Sequence, residues 1–162
     1  LHKEYRRQRQ MCIRDRDIIR KTDLLREKVT ERLAELSRDG FAGAVVDDLL
    51  KGGQRTAQVD VSIDQRSNIT LVIARGEDAV WVEFGAGVHY NGSAGTSPHP
   101  KGSELGFTIG GYGKGMGKKD VWGFYEDGKL RLTHGAPATM PMYNAVKTVC
   151  DEIAEIAREV FQ

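Results

Sequence analysis

The residues of this chain that could do chemistry lie mostly in its second half: His89, His99 and His134, the carboxylates Glu83 and Glu104, and Ser93, Ser97 and Ser103. Imidazoles gathered with a carboxylate can hold a metal that activates water, and a serine beside a histidine can act as a nucleophile. The spacing meets neither pattern. There is no His-x-x-x-His pair, no cysteine pair and no Gly-x-Ser-x-Gly elbow. Of the two cysteines, Cys12 and Cys150, the second falls beside the apolar stripe of a predicted helix, which reads as a buried thiol rather than a ligand or half of a disulfide. Glu83, between Val82 and Phe84 on an alternating segment, is expected on a strand, pointing away from the apolar face toward solvent or an interface partner. No catalytic residue, metal ligand or cofactor is expected; a small metal-dependent hydrolase or nuclease using the loop histidines is the alternative. A cellular adaptor or toxin-like domain that binds one protein through the same loop is a third reading.

The stretch from Gly110 to Lys119 invites a phosphate-loop reading, because clustered backbone N–H groups cradle anions. Its spacing fails. A nucleotide-triphosphate loop needs a glycine five residues before the Gly-Lys pair and a hydroxyl residue after it, but Tyr112 precedes Gly117-Lys118 and Lys119 follows. The dinucleotide pattern lacks its third glycine and the strand-to-helix unit around it. Lys101, Lys114, Lys118 and Lys119 interleave with Tyr90, Phe107 and Tyr112, but too sparsely for a nucleic-acid platform.

These residues sit between regular elements. Ile18, Leu25, Val29, Leu33 and Leu36 share one side of an amphipathic helix predicted to end near Gly40, and Ala44 to Leu50 fits a second, short helix stopped by Gly52-Gly53. Ala57, Val59, Val61 and Ile63 alternate, as do Ile69, Leu71 and Ile73 after a polar turn, predicting an antiparallel hairpin with one buried face. Val80, Val82 and Phe84 give a third alternating segment, closed by Gly85-Ala86-Gly87. From Gly85 to Gly117 there are 11 glycines in 33 residues, so residues 87–120 are read as a flexible loop, disordered in the free subunit. Asp127-Gly128 then marks a two-residue type I′ hairpin turn. Met142, Val146, Val149, Ile153, Ile156 and Val160 recur at helical spacing behind Pro141, a stripe that must lie across the sheet or against a neighbouring subunit.

The 162 residues suit one domain, and 40% apolar content with 19 glycines implies a compact body with excursions. No apolar run approaches the roughly 20 residues of a membrane span, and the N-terminus lacks the apolar centre of a signal peptide, so a soluble protein of intracellular origin is expected. Residues 1–16 carry six basic side chains against Glu4 and Asp15. Within them Met11 to Arg16 resembles a translated sequencing adapter, so 1–16 is read as a disordered or non-native basic tail and 17–162 as the domain.

The N-terminal helix, the alternating strands, Val82-Glu83-Phe84-Gly85, His134-Gly135-Ala136-Pro137-Ala138, Pro141-Met142-Tyr143-Asn144-Ala145 and the final Ala157-Arg158-Glu159-Val160-Phe161 together resemble the tail-completion, or head–tail joining, family of long-tailed double-stranded DNA bacteriophages. The resemblance covers about residues 17–162. Ala86 stands where that family commonly carries Thr or another small residue, and the loop is longer than in many members. The resemblance implies an α+β subunit with an antiparallel sheet of about four to five strands against the N-terminal helix and the long C-terminal helix. It implies a structural virion protein, not an enzyme, that is made in the host cytoplasm and assembles at the neck or tail end. Its partners would be copies of itself in a hexamer-type ring, a neck or head-completion protein, the tail tube or tail terminator protein, and weakly the DNA in the lumen, with no membrane. Interface positions are then expected at Glu83, Phe84 and Gly85, at Trp122, Phe124 and Tyr125, and at Pro137, Met142 and Tyr143.

Overall fold

The computed structural model describes residues 2–50, 59–67, 69–76, 78–85, 89–90, 93–94, 97–107, 122–133, 135 and 137–162. The architecture is α+β: a long N-terminal helix carries a two-stranded antiparallel sheet on one side and the C-terminal helix on another.

Helix α1, His2–Leu50, runs unbroken for 49 residues, roughly 73 Å at the α-helical rise. Its buried line is Thr30, Ala34, Ser37, Phe41 and Ala44, at spacings of four and three, with Val29, Leu33 and Leu36 half-buried on its flanks. Small residues at the centre of the face let the other elements come close, and the Ser37 hydroxyl is satisfied by donating to the Leu33 carbonyl. The expected break at Gly40 does not occur. A Cβ there would lie 2.8 Å from Cβ of Pro141, so the glycine marks where two helices touch rather than where one ends. Residues 2–16 are helical, and the side chains from Glu4 onward are exposed. The proposed stop at Gly52-Gly53 lies outside the described residues.

Strands β1, Asp60–Gln65, and β2, Thr70–Arg75, pair with Val61 opposite Ala74 and Ile63 opposite Val72. The turn between them closes with the Arg66 amide donating to the Ile69 carbonyl at 2.9 Å. Cross-strand partners share a face, so Val59, Val61, Val72 and Ala74 pack on α1 with Ala34, Phe41 and Ala44. This corrects the expected parity: Leu71 and Ile73 stand on the other face, opposite Asp64 and Ser62. The alternation in β2 is ambiguous because Leu71 to Ala74 is apolar throughout, and the register with β1 decides which half faces the helix.

Val80 to Phe84 forms a helix instead of the expected strand: α2, Ala79–Phe84, ends at Gly85, whose positive φ of 81° turns the chain and whose amide donates to the Trp81 carbonyl. Short pairs β3, His89–Tyr90, with β4, Ser93–Ala94, and β5, Trp122–Glu126, with β6, Lys129–Thr133, follow. Asp127 and Gly128 both have positive φ, 49° and 73°, as the type I′ turn requires. Among the described residues the strands pair as three two-stranded ribbons.

Helix α3, Pro141–Phe161, packs along α1 rather than across a sheet. Pro141, Ala145, Val149 and Val160 are buried, whereas Tyr143, Val146 and Ile153 are exposed. The apolar arc is wider than α1 can cover, so the predicted stripe divides into a buried half and an uncovered flank.

Candidate functional site

The most elaborate polar arrangement among the described residues centres on Glu83, which is only 6% exposed and not a solvated strand residue. One turn of α2 places Val82 and Glu83 toward the start of α3. There the chain makes a sharp corner: Met140 adopts the left-handed conformation at φ 54°, and the Thr139 amide and hydroxyl both donate to the Val82 carbonyl, at 2.9 and 3.0 Å. The corner aims the first free N–H groups of α3 at the carboxylate. Met142 donates to Oε2 at 2.8 Å and Tyr143 to Oε1 at 2.9 Å, so Glu83 acts as the N-cap that Met140 cannot be. Negative charge at this end also meets the helix dipole favourably.

His99 completes the group. Its Nε2 lies 3.4 Å from Glu83 Oε1, and both side chains are about nine-tenths buried. Its Nδ1 accepts the Lys101 amide at 3.0 Å, so in the neutral ring the proton sits on Nε2, facing Glu83. The ring is held between aromatic neighbours, with Phe84 at 4.4 Å and Tyr143 at 5.3 Å between centroids. Phe84 in turn stacks on Phe107 at 4.3 Å, and Trp81 meets Phe107 edge-on.

Phe107 reaches this cluster because residues 97–107 fold back as a closed loop. The Ser97 amide donates to the Phe107 carbonyl at 3.0 Å and the Phe107 amide to Gly102 at 2.8 Å, while Ser97 Oγ accepts the His99 amide at 3.2 Å. The expectation of a flexible 87–120 loop is thus corrected for 97–107. Glycines here serve tight turns inside a built structure. Residues 108–121, with Gly110 to Lys119 and Tyr112, lie outside the described residues.

Chemically, this arrangement is closed. Both imidazole nitrogens are engaged, and Ser97 Oγ meets the backbone of His99 rather than its ring, so the Ser97, His99 and Glu83 side chains do not line up as nucleophile, base and orienting acid. Glu104 is exposed on the outside of the loop, the side chain of His89 is not described, and His134 lies outside the described residues. Among the described residues no three His, Cys, Asp or Glu side chains come together as metal ligands.

The other expected interface positions separate into two kinds. Glu83, Phe84 and Gly85 belong to this interior, and Met142 packs against the α1 core. Pro137, Tyr143 and Tyr125 are exposed. Trp122 and Phe124 fall in register with Thr133 and Arg131 on β5, and their side chains lie outside the described set. Cys150, expected to be buried, is exposed beside Val146 and Ile153. Sequence reasoning missed the pairing of Glu83 with the α3 start; the signal present was the absence of Ser, Thr, Asp or Asn at the N-cap position before Pro141.

A broad groove of about 680 Å³ between α1, β1 and α3 is lined mostly by charged side chains, several of them paired across it. Arg32 forks onto Glu152 at 3.0 and 3.2 Å and also reaches Glu35, and Lys28 pairs with Glu159. Hydrogen bonding to Arg32 holds the Glu152 carboxyl below the usual carboxylate range. The Arg32–Glu152 and Lys28–Glu159 ties fasten α3 to α1. Comparisons with protein-family models, curated proteins and solved structures returned no match.

Proposed function

We propose that this chain is a structural virion protein of a long-tailed bacteriophage, assembling as a hexamer-type ring at the neck or tail end to complete the tail or join it to the head. The resemblance of residues 17–162 to the joining family supplies the class. The observation that carries the reading is the contrast between an inward, hydrogen-bonded Glu83–His99 group and an outward set of large apolar side chains, Tyr125, Leu130, Leu132, Val146 and Ile153. Exposed apolar surface on this scale suits association with other protein surfaces. The engagement of both His99 nitrogens weighs against a hydrolase that would use His99 as ligand or base.

In the same reading the hairpins belong to one antiparallel sheet of four to five strands. β2 supports this, because its uncharged Leu71 to Ala74 run has the composition of an interior strand although it has a single partner among the described residues. The partners are a neck or head-completion protein on one side and a tail tube or tail terminator protein on the other, with weak contact to DNA in the lumen. Light scattering, negative-stain imaging and elemental analysis of the purified chain test the reading. Closed rings free of metal are expected; a monomer with stoichiometric zinc or manganese, and hydrolytic activity lost in His99→Ala, would replace it.

A further inference from the structure

We draw no further inference here: the strongest candidate, the uncharged stripe of Tyr143, Val146, Cys150 and Ile153 on the flank of α3 that α1 leaves open, carries none, because nothing in the structure shows what covers it.

Discussion

The corner around Glu83 and the β5–β6 ribbon treat their side chains in opposite ways. At the corner a carboxylate, an imidazole and a hydroxyl are drawn inside and joined to backbone groups, with Phe84, Phe107 and Tyr143 around them. On the ribbon, tyrosine and leucine stand in water beside a turn of two charged or glycine residues. A buried polar group has to be satisfied or it destabilises the fold, so the corner is where stability is concentrated. An exposed apolar face contributes little to the isolated fold. The residues that look reactive hold the subunit together, and those that look inert are the ones left free to meet another surface.

Breaking the corner should have the largest effect. Glu83→Ala leaves the Met142 and Tyr143 amides without their acceptor and removes charge from the α3 start, and it is expected to lower stability by about 3 kcal/mol. Chemical denaturation read by circular dichroism measures it, and a loss below about 1 kcal/mol would mean that water caps α3 equally well. Next comes the floor under the corner. Gly40→Leu forces a side chain into Pro141, whose Cβ already lies 2.8 Å from an ideal Cβ at Gly40, and should cost about 2 kcal/mol. Stability equal to the wild type in the same assay would show that α1 and α3 separate freely there. The smallest effect is expected on the ribbon. Leu130→Lys should change the stability of the dissociated subunit by less than about 0.5 kcal/mol, and a thermal shift as large as that of Glu83→Ala would erase the contrast between the two regions.

What was legible in the sequence followed from local rules. Asp127-Gly128 specified its hairpin because few residue pairs accept two positive φ angles, and the spacing from Met142 to Val160 specified a helix. The failures have a common cause, which is that distant neighbours decide them. Gly40 looks like a stop until Pro141 is seen beside it. Val80, Val82 and Phe84 suit a strand as well as a short helix, because a six-residue segment is too short for its period to decide, and docking against α3 selects the helix. In β2 the all-apolar run hides which residues face α1. The glycines around Pro98 and Pro100 signalled turns correctly, but not that Phe107 would return to stack on Phe84. Of the candidate site, the chain positions were visible and their inward direction was not.

The cap on α3 also bears on the order in which the chain can fold. The acceptor for the Met142 amide stands 59 residues upstream, and the helix carries no side-chain cap of its own. As the polypeptide leaves the ribosome, the residues of α2 emerge long before the segment they must hold has been made. The loop between them has to close before the first turn of α3 is secured, so that turn is a late event even though the rest of the helix has strong local periodicity.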